Sequence, residues 1–220
     1  MAISRIGTAS AQAATITIPG SHAAGDLIVV AAARNNVTAP TVPSGWVTLN
    51  SQTTTGLSVV CGFKIAQSSS ESSGTWTNAS TLHCATYRGS LGFVVPSTAT
   101  AATGTSSATI NYPALANYRT GLDDNWYFGF ASQLNSTNSL ETAPSGMANL
   151  SVESFTNFKS AAHDTNATQS SNWASTNVVL ATSAVYRSFV IQLFEVAAPA
   201  FGGGGGGIFF RPGMSGGMSE

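Results

Sequence analysis

Three histidines (His22, His83 and His163) stand among 56 serines and threonines and nine acids in 220 residues, so nucleophilic chemistry comes first. A Ser-His-Asp hydrolase of the elbow type needs a serine on a sharp strand-to-helix turn, and no Gly-x-Ser-x-Gly elbow is present. With serine so common, a serine beside a histidine follows from composition alone. His83 alternates with Cys84 inside the strand-like run Thr81–Tyr87, which reads as a packed or surface strand position. Carboxylate pairs for glycoside cleavage are as poorly supplied. Only Asp123 and Asp124 are adjacent, just before a strand, where acids often sit in turns. A calcium loop would need an Asp-x-Asp-x-Asp-Gly run that is missing. Zinc would find at best three ligands in Cys61, His83 and Cys84. No catalytic residue, metal or cofactor is expected.

The aromatic residues carry more information. Trp76 in Gly74-Thr75-Trp76-Thr77-Asn78 and Trp173 in Ser171-Asn172-Trp173-Ala174-Ser175 look like counterparts. Two readings stay open. They are core plugs at the ends of a sandwich, or they are a platform that stacks on a sugar while Asn78 and Asn172 hydrogen-bond its hydroxyls.

The elements that must position these residues repeat. Asp26–Ala33 leads to Val42-Pro43-Ser44-Gly45-Trp46, and Asn125–Ala131 leads to Ala143-Pro144-Ser145-Gly146-Met147. The two Pro-Ser-Gly triplets lie 101 positions apart. The same offset sets Leu27–Val30 on Phe128–Ala131 and Thr86 on Arg187. A repeat of this length implies two similar halves of one fold.

Short runs of period-2 alternation give strands at Thr15–Ile18, Leu27–Ala33, Val47–Leu49, Leu57–Ile65, Thr75–Thr77, Thr81–Tyr87, Phe93–Val95, Ala108–Tyr112, Trp126–Ala131, Leu150–Phe158, Val178–Ala181 and Tyr186–Val196. Only 8% of residues are charged, too few to clothe amphipathic helices, whereas Thr, Ser and Asn cover a strand's wet face well. The fold class expected is all-β, an antiparallel, jelly-roll-like β-sandwich with internal duplication. Trp46 and the Leu57/Val59/Cys61/Phe63/Ile65 face should lie between two sheets, near Leu27, Val29, Phe128, Phe130, Val190 and Leu193.

Residues 1–198 form the sandwich domain and 199–220 a glycine-rich extension, in which Gly202–Gly207 is an unbroken glycine tract. Such a segment buries little of its own, so Ile208, Phe209 and Phe210 are expected to anchor in a partner chain. A net charge of −1 with six scattered arginines speaks against nucleic-acid binding. No run is long and apolar enough for a membrane span, and the amino terminus lacks a signal-peptide layout. Synthesis in a cytoplasm, without membrane insertion, is the expectation. Two cysteines make no disulfide framework, although Cys61 and Cys84 would pair if their strands were neighbours.

Gly25-Asp26-Leu27-Ile28-Val29-Val30, Pro43-Ser44-Gly45-Trp46, Phe63-Lys64-Ile65-Ala66, Thr75-Trp76 and Ala85-Thr86-Tyr87-Arg88-Gly89 follow one another as an ordered set. Over residues 5–197 this set resembles the jelly-roll β-sandwich module of tailed-bacteriophage virion proteins and bacterial surface proteins. The resemblance implies a non-enzymatic module on the virion exterior, a tail, fibre or tip component serving host-surface or glycan attachment. Its implied partners are other virion proteins, copies of itself and a host cell-surface glycan. The alternatives it leaves are a capsid decoration or head-fibre protein and a bacterial carbohydrate-binding module. It transfers no catalytic residues.

Overall fold

The computed structural model describes residues 3–90, 92–94, 100–117 and 125–196. Among them are eleven strands and no helix: β1 (Ser4–Ala11), β2 (Leu27–Arg34), β3 (Val47–Thr54), β4 (Leu57–Ile65), β5 (Thr81–Arg88), β6 (Gly92–Val94), β7 (Thr100–Tyr112), β8 (Asn125–Gln133), β9 (Ala148–Phe155), β10 (Phe158–Asp164) and β11 (Thr176–Val196). The first five make one antiparallel sheet in the order β1-β5-β2-β4-β3. The rest make a second sheet, β6-β11-β8-β10-β9, with β7 also paired to β11. Setting β7 against β1 gives both sheets the same strand order. Each half therefore supplies a whole sheet, and the strands cross once, between β5 and β6. In a wound jelly roll, by contrast, successive strands pass back and forth between the sheets.

The repeat extends to backbone detail. Trp46 N–H donates to Pro43 O at 3.3 Å and Met147 N–H to Pro144 O at 3.0 Å. Gly45 and Gly146 occupy the third turn position with φ of 82° and 87°. These are two copies of a type II turn, which needs positive φ at that position. The β3–β4 and β9–β10 hairpins each close over two residues, and each first strand carries one bulged leucine, Leu49 or Leu150. The offset of 101 therefore holds through the turn and hairpin. It fails for β2, because Val29 pairs with Phe63 as Phe128 pairs with Asp164, the residue matching Phe63. Val29, not Leu27, matches Phe128, since the connection before the second turn is two residues longer. By the same ladders Thr86 matches Gln192 rather than Arg187.

Side chains alternate as strand geometry demands. Leu27, Val29, Leu57, Val59, Cys61, Phe128, Phe130, Phe189, Ile191 and Leu193 fill the space between the sheets. The opposite faces are covered too. Ile16, Ile18 and Trp76 lie over Ile28, Val30, Val60, Leu82 and Cys84 on the first sheet. Leu115 and Trp173 lie over Tyr127, Ala131, Ala161 and Val190 on the second. Val190 thus packs outside the sheets, not between them. Trp46 was also expected between them but lies half-buried on the outer face, its ring 5.4 Å from that of Trp76.

Several strand assignments change for the same reason. Thr15–Ile18 and Thr75–Thr77 are covering segments whose alternation reflects a buried side, without a ladder. Leu150–Phe158 contains a hairpin turn, and β11 runs unbroken where two strands were expected. Strands β1 and β10 were not anticipated.

Candidate functional site

The histidines and cysteines able to do chemistry are buried in the fold. His83 on β5 meets two serines of the other sheet, its Nδ1 lying 2.7 Å from Ser151 Oγ and its Nε2 2.8 Å from Ser160 Oγ. Ser160 Oγ lies 2.8 Å from Thr81 Oγ1. Burial, with a smaller contribution from His163, holds the His83 pKa down at about 3. The neutral ring has one donor and one acceptor, enough to clip the sheets together through both serines. His83 and Ser160 have no exposed surface, and among the described residues the ring's hydrogen-bond partners are serines and not a carboxylate. His22 accepts from Glu71 N–H at 3.0 Å through Nε2, so Nδ1–H donates to Pro19 O at 2.6 Å. His163 packs on the outer face with its ring 5.5 Å from Tyr112, and burial lowers its pKa to about 3.

Cys61 and Cys84 are free and buried, with their thiol pKa values pushed up by burial. They cannot bridge: Cys61 points between the sheets, Cys84 points outward, and β2 separates their strands. Among the described residues no three His, Cys, Asp or Glu side chains converge. Asp123 and Asp124 lie outside the described residues.

Trp76 has no exposed surface and donates from Nε1 to Ser73 O at 3.2 Å. Asn78 takes the left-handed position (φ 71°) of the turn that Ala79 N–H closes onto Trp76 O at 2.9 Å. Trp173 is buried, exchanges backbone bonds of 3.0 Å with Leu115, and lies 5.9 Å from the Tyr127 ring. Asn172 accepts from Asn117 N–H at 2.8 Å through Oδ1. The structure places Trp76 and Trp173 on opposite outer faces with their rings covered, so the four residues are not brought together and offer no open ring for stacking. Ile208, Phe209 and Phe210 lie outside the described residues.

A different set converges at one end of the sandwich. Arg5 on β1 donates from Nη1 to Asp164 Oδ1 at 2.6 Å, across the sheets. Tyr87 OH donates to Asp164 Oδ2 at 3.2 Å and Asn166 N–H to Oδ1 at 3.0 Å. Asp164 is fully buried, while the Arg5 side chain keeps 26% of its surface. Burial and the Asp164 charge hold the Tyr87 pKa well above its ordinary value, so the phenol stays a donor. Trp126 packs edge-on against Tyr87 at 5.8 Å, and among the described residues its buried Nε1 has no hydrogen-bond partner. Around them opens a cleft of about 430 Å³, lined by Ser4, Arg5, Trp126, Asn166 and Thr168 among others. A second depression of about 410 Å³, between Ala9–Ala11 and Ser72–Thr75, has no charged or aromatic lining.

Sequence reasoning missed this set. β1 (Ser-Arg-Ile-Gly-Thr-Ala-Ser-Ala) lacks apolar alternation, and Asp164 falls in none of the expected strands. The available signal was parity: Phe158, Ser160, Ala162 and Asp164 alternate inward, which places an acid where the sandwich calls for an apolar residue. Comparison with protein-family models, characterised proteins and solved structures finds no match to this chain.

Proposed function

We propose that this chain is a non-enzymatic surface component of a phage particle, part of a tail, fibre or tip, and that it serves attachment to a host surface or glycan. The observation that supports this most is how the reactive groups are used. His22, His83, Cys61, Cys84 and Asp164 are buried, three of them in internal hydrogen bonds, and the chain turns outward a surface rich in hydroxyls and amides. Such a surface suits recognition through many weak polar contacts rather than bond cleavage. Ile208, Phe209 and Phe210 would seat the extension in a neighbouring virion protein, where burial of each contributes about 1.5–3 kcal/mol.

Antibody-gold labelling of particles, combined with competition of particle adsorption by the purified chain, tests the reading. Label at a tail structure together with blocked adsorption is expected. Label spread evenly over the shell would replace attachment with a decoration role, and unlabelled particles would end the virion reading.

A further inference from the structure

We propose that the Arg5 cleft is a saccharide site that takes a neutral sugar unit, a reading that rests on the attachment function above. The duplication supplies an internal control. Asp164, Trp126 and Tyr87 occupy the ladder positions that Phe63, Leu27 and Leu193 occupy in the opposite halves. One corner of the sandwich is thus built from apolar side chains, and the matching corner from a carboxylate, an indole and a phenol. Burying an ion pair gives a fold little that apolar packing would not give, because desolvation offsets the attraction. The polar corner is therefore more than the sandwich requires.

What it presents is a set of donors. One Arg5 nitrogen holds Asp164, and the rest of the partly exposed guanidinium fronts the cleft beside the Thr168 hydroxyl and the Asn166 amide. Trp126 forms part of the wall through its ring, its indole nitrogen being buried behind it. Asp164 neutralises Arg5, so the cleft carries no net charge, and an anionic ligand would share the guanidinium with a carboxylate already bound. Hydroxyl oxygens of a neutral sugar accept these donors without that conflict, and the volume lies within the range of small-ligand sites.

The test uses the full chain in calorimetric titrations with lactose, maltotriose and tri-N-acetylchitotriose, and with digalacturonate as a charged comparison. Saturable binding of a neutral probe is expected, weakened about tenfold by Thr168→Val or by Asn166→Gly, each a loss of one hydrogen bond to the sugar. The glycine fits the left-handed φ of 50° and keeps the backbone N–H bond to Asp164. These rim variants leave the ion pair intact, and unchanged melting shows that they fold. Trp173→Phe, on the covered outer face, should bind as the parent does. The proposal is overturned if no neutral probe binds up to about 10 mM, if only digalacturonate binds, or if the rim variants bind normally. Rim variants that still block particle adsorption would remove the cleft while leaving the attachment reading standing. A parent chain that neither labels particles nor blocks adsorption would remove the attachment reading itself.

Discussion

The two halves of the molecule solve one packing problem with exchanged parts. In the first sheet Val30 on β2 pairs with Gly62 on β4, and in the second Gly129 on β8 pairs with His163 on β10. These are the same two positions, but the glycine has changed strands. A Cβ on Gly62 would stand 3.0 Å from the Trp76 ring and 3.2 Å from the Val47 carbonyl oxygen. On Gly129 it would stand 2.8 Å from Met147 Sδ and 3.2 Å from the Tyr112 ring. Each sheet leaves out one side chain so that an aromatic cover can lie close to the backbone. The quantity kept through duplication is the combined volume of the pair rather than either residue.

The covers differ in how well they are satisfied, and the largest effects should follow from that. Trp76→Ala and Trp173→Ala should each cost about 3–5 kcal/mol in denaturant melts. The milder Trp→Phe changes separate the halves. Trp76 Nε1 has its bond to Ser73 O, so Trp76→Phe should cost about 1 kcal/mol more than Trp173→Phe, which removes a donor with no partner. Equal costs would mean that a water or another group satisfies Trp173.

Next come the glycines. Gly62→Ala should destabilise by about 1–3 kcal/mol, because a tryptophan ring and a backbone carbonyl must both move. Gly129→Ala should cost less, since the thioether of Met147 can turn aside. The reverse order in chemical denaturation would break the volume-exchange account.

The smallest effect is with pH, and it too compares the halves. His83 and His163 both titrate near 3 when folded, through burial, against about 6.5 unfolded. Below 6.5 the unfolded chain binds more protons, so stability is complete above that value and falls as pH drops towards 3. Each histidine should cost about 1 kcal/mol over the first unit below 6.5. His163→Leu should halve the slope of melting temperature against pH, and an unchanged slope would assign the acid sensitivity elsewhere.

How far the sequence could be read depended on which residues carried alternation. β4, with Leu57, Val59, Cys61, Phe63 and Ile65 on one face, was legible to its ends, and so were the paired Pro-Ser-Gly turns. β1 was not, because most of its side chains are small and nearly all are half-covered on both faces, which erases the period. Strands β2 and β8 are buried on both sides, so parity could not fix their offset, and the register slipped by two. The candidate site stayed hidden for a related reason. Trp76 and Trp173 attracted notice as bulky repeats, yet bulk marks covers. Arg5 and Asp164 are joined across 159 positions by a contact that only the stacking of the two sheets creates.

The single crossing between the sheets bears on ancestry and assembly. Among the described residues every strand pairing lies within one half or the other, and what joins the halves is contact made by side chains. These contacts include apolar packing, the His83 clip, the Arg5–Asp164 pair and the bonds of Arg187 to Thr53 O and of Ser10 to Glu153. One half is thus a closed hydrogen-bonding unit with an apolar face shaped for a sheet of its own topology. That is the geometry of a symmetric dimer written into one polypeptide. Two halves joined in this way can differ side chain by side chain, so a polar corner stands on one side without being imposed on the other.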